Sequence, residues 1–180
     1  MEALVNRIKS EARYLGNGIL RVDSFLNHCV DTQLMSEIGQ HLAGQLSDAA
    51  GSAITKVVTV ETGGIPPALT TAQALAVPML YARKKRPATM VGEVFQKQVR
   101  SHTKGNIVDL TIAADYLGEN DNVVLVDDFI GRGDTATAML DLIGQSGAKL
   151  CGLGFVLEKL YENGRQHLGQ LSVPIVALAK

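Results

Sequence analysis

Apolar residues follow a helical spacing in the first quarter of the chain. Two sets recur at intervals of three or four positions: Leu4, Ile8, Ala12 and Leu15 in the first, and Leu34, Ile38, Leu42 and Leu46 in the second. This spacing places the apolar side chains on one face of a helix, so we predict two amphipathic helices. Between them lie a short extended stretch at 19–22 and a polar turn at 23–27, and Asp31 is suited to cap the second helix.

Farther along the chain, short apolar runs alternate with helical segments. The runs are KVVTV at 56–60, PMLYA at 78–82, VVLVD at 123–127, KLCGLGFVLE at 149–158 and PIVALA at 174–179. Helices are predicted from about 66 to 76 and from about 135 to 145. Continuous apolar strands separated by helices are typical of a parallel sheet covered on both faces. The pattern therefore predicts an α/β fold, a single domain over residues 1–180 with a mostly parallel twisted sheet flanked by helices.

The stretch from 83 to 113 interrupts this alternation. It is long, basic and weakly patterned, and we predict an antiparallel hairpin that projects from the sheet as a flexible flap. Residues 83–104 hold seven basic residues and one acidic residue, whereas residues 105–141 hold eight acidic residues and one basic residue. Adjacent net charges of +6 and −7 suit a site that handles a polyanion together with a divalent cation, although two solvated faces of opposite sign would give the same pattern.

The composition is that of a folded globular chain. Of the 180 residues, 46% are hydrophobic and 19% are charged, and the formal net charge of −1 gives no general attraction to nucleic acid or anionic lipid. No apolar run approaches the roughly 18 residues of a membrane span, so we expect no membrane partner. Cys29 and Cys151 are far apart and have apolar neighbours, which predicts two buried thiols in a reducing compartment and a cytoplasmic location.

The most informative segment is VVLVDDFIGRGDTA at 123–136. In this segment a buried strand ends in Asp127 and Asp128, and a glycine-rich turn then opens a helix. Ligands of open α/β sheets bind beyond the carboxyl ends of the strands. The backbone N–H groups of residues 131–135 and the positive end of the helix dipole can together cradle a phosphate group. At its rim the two aspartates can accept hydrogen bonds from sugar hydroxyls or hold Mg²⁺.

Other interpretations of this segment fit less well. Gly131-x-Gly133-x-x-Ala136 matches the dinucleotide-binding fingerprint, but that motif places glycine directly after the strand, where this chain has carboxylates that would repel a pyrophosphate. The Gly-Lys-Ser/Thr end of the Walker A pattern is missing, and the Arg-Gly-Asp tripeptide at 132–134 is a chance occurrence. A purely structural strand, turn and helix stays open, although it has little need for paired aspartates after an apolar strand.

The same residues carry a family resemblance. VLVDDFIGRGDT resembles the phosphoribosyl-diphosphate signature of type I phosphoribosyltransferases, with its hydrophobic strand, acidic doublet, small-residue phosphate loop and threonine. The segments MEAL, VDSFLNH, ETGGIPPA, YARK and VLEK are similar to the xanthine phosphoribosyltransferases of that family. The resemblance implies a type I fold with a small hood from the N-terminal and C-terminal segments. It also implies a homodimer and two substrates, 5-phosphoribosyl 1-diphosphate and xanthine.

Carried over position by position, the resemblance implies a site for the diphosphate donor. The 5′-phosphate is enclosed by Gly131, Arg132, Gly133, Asp134 and Thr135. The ribose hydroxyls contact Asp127 and Asp128, and Mg²⁺ is held mainly by the donor's own oxygens rather than by protein side chains. The pyrophosphate meets the backbone of Glu61, Thr62, Gly63 and Gly64, and Arg83, Lys84 and the flap close over it. An ordinary connection between a strand and a helix would also explain the turn at 61–64.

The resemblance also implies a base site. Phe129 lies against the purine ring, and Leu20, Asn27 and Lys159 surround its edge, although a solvated lysine at the end of a strand would also explain Lys159. Two positions depart from the family pattern. Asp134 is a carboxylate where related loops have Gly or Gln, so we expect it to point away from the phosphate and to cap the helix. Gly131 stands where some relatives carry an acid proposed as a general base.

The function implied is phosphoribosyl transfer to xanthine, which gives xanthosine 5′-monophosphate and pyrophosphate in purine salvage. Asp127, Asp128 and Lys84 are the implied catalytic residues. A transferase that prefers guanine or hypoxanthine is one alternative. Another is a non-catalytic sensor of purine or diphosphate that acts on transcription or RNA, but 4% aromatic residues and no Trp offer few platforms for stacking nucleic-acid bases, and we expect no nucleic-acid partner.

Overall fold

The computed structural model describes residues 1–100, 107–169 and 171–180. The helices in these ranges are α1 (Glu2–Glu11), α2 (Thr32–Ala50), α3 (Ile65–Leu75), α4 (Asp134–Ser146) and α5 (Gly164–Leu168). The strands are β1 (Arg13–Tyr14), β2 (Leu20–Arg21), β3 (Lys56–Val60), β4 (Met79–Ala82), β5 (Val94–Arg100), β6 (Ile107–Ala113), β7 (Asn122–Ile130), β8 (Lys149–Glu158) and β9 (Ile175–Ala179). Short 3₁₀ helices span Ala114–Tyr116 and Leu160–Glu162.

Five strands form one parallel sheet in the order β4-β3-β7-β8-β9. The predicted α/β fold and its parallel sheet are therefore confirmed. The predicted boundary of β8 agrees with the structure at both ends, because the run KLCGLGFVLE is apolar between Lys149 and Glu158 and is buried from Cys151 onward. A strand with so few exposed side chains requires cover on both faces of the sheet.

Alternate residues of the central strands enter two different hydrophobic cores. Val57 and Val124 pack with α2 and α3 on one face, whereas Val58 and Val123 pack with α4 and the β5–β6 hairpin on the other. The Asp31 carboxylate caps α2, as predicted, by accepting a hydrogen bond of 3.1 Å from the Leu34 backbone N–H. The sheet is thus held between two layers, and its carboxyl-terminal edge remains open for a site.

Strand β7 is longer than the sequence indicates. We predicted that it ends at Asp127, but it continues to Ile130 because β8 pairs with it as far as Ile130 and Glu158. On the other side, the pairing of β7 with β3 stops at Leu125. Asp127 and Asp128 therefore lie inside a strand that has β8 on one side and the turn after β3 on the other.

The predicted antiparallel hairpin is present. Its strands β5 and β6 pair from Val94 with Ala113 to Arg100 with Ile107, and reciprocal hydrogen bonds of 3.3 and 3.2 Å join Gln96 to Gln145 of α4. Residues 101–106 lie outside the described ranges, and part of the predicted flap at 83–104 falls among them. Closure of this flap over a ligand stays a prediction.

One expectation about the cysteines is wrong. Cys151 is buried as predicted, but Cys29 is exposed. In the neighbouring turn at 23–27, Phe25 and Leu26 are the side chains that fill the core, and the Cys29 side chain lies outside that core. Among the described helices, none is both long enough and apolar enough to cross a membrane.

Candidate active site

A cavity of about 540 Å³, the first cavity, opens at the carboxyl ends of β3 and β7. Its walls are the turn at 61–63, the acidic doublet Asp127 and Asp128, and the loop that leads into α4. The hairpin adds Val99 and Val108 to the opposite side. This edge of the sheet is where parallel α/β folds bind their ligands.

The acidic doublet packs directly against the glycine turn after β3. A Cβ atom on Gly63 would collide with the Oδ2 atom of Asp128 and would lie 2.8 Å from its Cγ atom. A Cβ atom on Gly64 would collide with Thr59 Oγ1 and would lie 2.5 Å from Asp127 Oδ1. Any residue larger than glycine would therefore push the turn away from the carboxylates, so the two glycines are required by close approach.

Burial and like charge both act on Asp127. Burial raises the pKa of its carboxyl well above the ordinary value, and the neighbouring negative charge of Asp128 raises it further. The Asp128 backbone N–H donates a hydrogen bond of 2.9 Å to Asp127 Oδ1, which partly offsets both effects. The folded protein therefore disfavours two ionised carboxylates side by side here, and a bound cation would relieve their repulsion.

Asn27 holds the second aspartate in place. Its Nδ2 atom donates a hydrogen bond of 2.9 Å to Asp128 Oδ2, the oxygen that faces Gly63. The backbone N–H of Phe129 donates to the other oxygen, Oδ1, at 3.0 Å. With both oxygens bonded, the Asp128 carboxylate has a fixed orientation at the rim of the first cavity.

The loop after β7 ends in a tight turn at Gly133, whose φ of +90° lies in the left-handed region that favours glycine. Gly133 is the N-cap of α4, and no side chain caps the helix. The expectation that Asp134 caps α4 is therefore wrong, because the helix already begins at Asp134. There, in the first turn, a carboxylate interacts favourably with the helix dipole.

Residues of α5, which follows β8, pack against the loop between β7 and α4. A Cβ atom on Gly164, the first residue of α5, would collide with the carbonyl oxygen of Gly131. His167 Nδ1 lies 2.9 Å from the carbonyl oxygen of Arg132. The position of the loop between β7 and α4 therefore depends on where α5 lies.

An ion pair with a buried carboxylate fixes α5 to the sheet. The Arg165 guanidinium donates to both carboxylate oxygens of Glu158 at 2.8 and 2.9 Å, and to the Ile175 carbonyl at 2.8 Å. The Glu158 side chain is 5% exposed and that of Arg165 is 35% exposed. The hydrogen bonds from Arg165 hold the pKa of Glu158 below its ordinary value, although burial opposes them.

We expect Arg165→Met to lower the free energy of unfolding by about 2 kcal/mol, because it leaves the Glu158 carboxylate buried without its partner. Since the pKa of Glu158 is lower in the folded state, the stabilisation is complete above the unfolded-state pKa and is lost as the pH falls through the folded-state pKa. Urea unfolding at neutral and acidic pH measures both effects. A loss of the same size at every pH would contradict this account.

Glu61 organises the basic residues after β4. Its carboxylate accepts a hydrogen bond of 2.6 Å from the Lys84 backbone N–H and lies 2.9 Å from the Arg83 guanidinium. Lys84 lines the first cavity. Arg83 instead lies over the Tyr81 ring, 5.5 Å from its centroid, and lines a separate cavity beside β4.

A second cavity, of about 340 Å³, adjoins the first, and Phe129 lines both. Leu20, Lys159 and Tyr161 also line it, together with residues of α1 and the end of β9. The Lys159 ammonium lies 5.2 Å from the centroid of the Phe129 ring and donates a hydrogen bond of 2.9 Å to the Gly18 carbonyl. Segments from both ends of the chain thus enclose a mostly apolar space, which three lysines line: Lys9, Lys159 and Lys180.

The structure brings most of the predicted site residues together. The first cavity is lined by Asn27, Glu61, Thr62, Gly63, Lys84, Asp127, Asp128, Phe129, Gly131, Gly133, Asp134 and Thr135. The second is lined by Leu20, Phe129 and Lys159. Three predicted residues, Gly64, Arg83 and Arg132, line neither of them. Sequence reasoning missed Gly164 and His167, although the Asn163-Gly164 pair is a recognisable turn signal.

Comparison of the sequence with known proteins gives a consistent result. Residues 29–166 match the phosphoribosyl transferase domain family. A xanthine phosphoribosyltransferase from Deinococcus deserti is 46% identical over 99% of this chain and 91% of its own length. The xanthine phosphoribosyltransferase of Moorella thermoacetica is 42% identical over 100% of this chain and 90% of its own length.

Solved structures with the same fold include several adenine phosphoribosyltransferases. The Saccharomyces cerevisiae enzyme, crystallised with adenine and an imino-altritol bisphosphate, superposes with a TM-score of 0.74 and 25% identity over 99% of both chains. The Trypanosoma brucei enzyme superposes with a TM-score of 0.79 over 98% of this chain and 78% of that one, at 18% identity, which establishes the shared fold alone.

Proposed function

The chain belongs to the phosphoribosyl transferase family, and we propose that it transfers the phosphoribosyl group of 5-phosphoribosyl 1-diphosphate to xanthine. The products are xanthosine 5′-monophosphate and pyrophosphate. The observation that carries this proposal is the pair of adjoining cavities that share Phe129. One has a phosphate loop and an acidic doublet, and the other has an apolar wall and the Lys159 ammonium. The relatives from Deinococcus deserti and Moorella thermoacetica, both named xanthine phosphoribosyltransferase, support xanthine as the base.

The donor occupies the first cavity. The backbone N–H groups of 131–135 and the amino end of α4 bind the 5′-phosphate, because such N–H groups and the helix dipole both favour an anion. Asp127 and Asp128 accept hydrogen bonds from the ribose hydroxyls. The turn at 61–63 and Lys84 then face the pyrophosphate, and the Lys84 ammonium complements its negative charge.

The residues present fit a magnesium ion shared with the substrate. Among the described residues, no group of three or more His, Cys, Asp or Glu side chains could hold a metal by itself. Two adjacent carboxylates are the usual protein share of a Mg²⁺ site whose other ligands are water and substrate phosphates. Bound in this way, Mg²⁺ neutralises charge on the departing pyrophosphate. Asp127 and Asp128 are the side chains placed to contact it.

The protein's contribution to the rate is electrostatic and positional. Positive charge develops on the ribose ring as its bond to pyrophosphate loosens, as in glycoside hydrolysis. The fixed carboxylate of Asp128 stabilises that charge, and the Lys84 ammonium stabilises the negative charge that leaves. Xanthine loses a proton readily, so the reaction needs no protein base at Gly131.

The base occupies the second cavity against Phe129. The Lys159 ammonium donates to the oxygen at C6, which adenine lacks. Asn27 lies in the wall of the adjoining first cavity and has a second amide N–H beyond the one bonded to Asp128. We propose that this N–H donates to the oxygen at C2, where guanine carries an amine. A mispaired buried polar group costs about 1 to 3 kcal/mol, which corresponds to roughly ten- to a hundredfold in preference.

We expect xanthine to be the best of four bases, with guanine and hypoxanthine weaker and adenine inactive. The test is pyrophosphate release with each base, the diphosphate donor and Mg²⁺, with nucleotide product identified by chromatography. Omission of the base is the control for donor hydrolysis. Equal kcat/KM for adenine and xanthine would contradict the assignment of the base, and no pyrophosphate with any base would contradict an enzymatic function.

A further inference from the structure

The 3₁₀ helix that follows β8 folds Glu162 back onto Lys159. The Glu162 Oε1 atom lies 3.3 Å from the Lys159 ammonium, and the Glu162 backbone N–H donates to the Lys159 carbonyl at 3.0 Å. The two side chains are about equally covered, with 20% exposed for Lys159 and 22% for Glu162. A pair covered to this extent is less screened by solvent than a surface pair.

The hydrogen bonds of Lys159 leave one donor for a ligand. An ammonium group has three N–H donors. Within the described part of the chain, one goes to the Gly18 carbonyl at 2.9 Å and one to Glu162 at 3.3 Å. The third can therefore reach an acceptor on a base stacked on Phe129, provided that the other two bonds hold the ammonium in place.

The other oxygen of Glu162 contacts the phosphate loop. A Cβ atom on Gly131 would lie 2.6 Å from Glu162 Oε2. The carboxylate therefore fills the space beside Gly131, with the Lys159 ammonium on its other side. Glycine at 131 thus has a physical reason, because a side chain there would displace Glu162 from Lys159.

We propose that Glu162 is a positioning residue for base recognition: it orients the Lys159 ammonium toward the base and links the base site to the phosphate loop at Gly131. This inference rests on the proposed function. Glu162 reaches the phosphate loop only beside Gly131, whereas its other oxygen holds the ammonium that faces the base, so its removal acts mainly on binding of the base. The effect is therefore separable from an effect on the donor.

The test compares Glu162→Ala and Glu162→Gln with the unmodified protein. Glu162→Ala should raise KM for xanthine about tenfold, while kcat and KM for the diphosphate donor change less than about twofold. Glu162→Gln should raise it only about threefold, because the amide oxygen still accepts a hydrogen bond from Lys159 but carries no charge.

The matched control is Glu2→Gln, an exposed acid in the first turn of α1, which should leave all constants unchanged. Thermal unfolding of each variant shows whether it is folded under assay conditions. An unchanged KM for xanthine in both Glu162 variants, or equal rises in KM for xanthine and the donor, would overturn the inference. Failure of the unmodified protein to use xanthine would instead overturn the proposed function.

Discussion

Asp128→Asn should lower kcat about a hundredfold and leave the protein folded. The Asp128 carboxylate is held by the Asn27 amide and the Phe129 backbone N–H, so in the proposed mechanism its negative charge faces the ribose without reorganisation. Asparagine is close to isosteric and keeps an acceptor oxygen, but it loses the charge that stabilises the ribose in the transition state. Steady-state kinetics with saturating xanthine and donor measure the loss.

Asp127→Asn should lower kcat in the same way and should also raise the midpoint of thermal unfolding at neutral pH. The folded state disfavours ionised Asp127, because burial and the charge of Asp128 both raise its pKa. Removing that charge therefore stabilises the empty protein while it weakens catalysis. Asp48→Asn, at an exposed position of α2, is the control that should change neither quantity. Turnover by both doublet variants at the unmodified rate would assign the doublet a structural role.

The sheet could be predicted because each of its elements has a recognisable pattern within its own short stretch of sequence. Each strand is a short apolar run, and each intervening helix has its own periodicity, so residues 56–60 and 149–158 were assigned without knowledge of their partners. The strand, turn and helix around the acidic doublet were predictable for the same reason, since they are contiguous from 123 to 136. The local structure of such a motif is determined mainly by its own consecutive residues.

The remaining features depend on contacts between distant segments. The extension of β7 to Ile130 follows from the length of β8, and the diversion of Arg83 from the first cavity follows from its ion pair with Glu61. The contact of Glu162 with Gly131 joins residues on two different loops. None of these has a periodic or motif signal in the sequence, because each is set by which strands become neighbours.

Gly63→Ala should lower kcat/KM for the donor by more than about a hundredfold and the free energy of unfolding by about 1 to 3 kcal/mol. The added Cβ atom would collide with Asp128 Oδ2 and would lie 3.0 Å from Oδ1. A free carboxylate could swing aside, but Asn27 and the Phe129 N–H hold both oxygens. The turn must therefore move, and its backbone N–H groups leave the place that we propose for the pyrophosphate.

The matched control is Gly44→Ala on α2, where an added Cβ atom meets nothing within 4 Å. This change should leave activity unaltered and stabilise the protein by about 0.5 to 1 kcal/mol, because alanine is favoured over glycine inside a helix. A double-mutant cycle then tests the cause. In an Asp128→Ala background the collision is absent, so Gly63→Ala should cost about 1 kcal/mol less stability than in the unmodified protein. Additive losses would show that Gly63 is needed for the turn itself, and that the approach of Asp128 does not explain why position 63 is glycine.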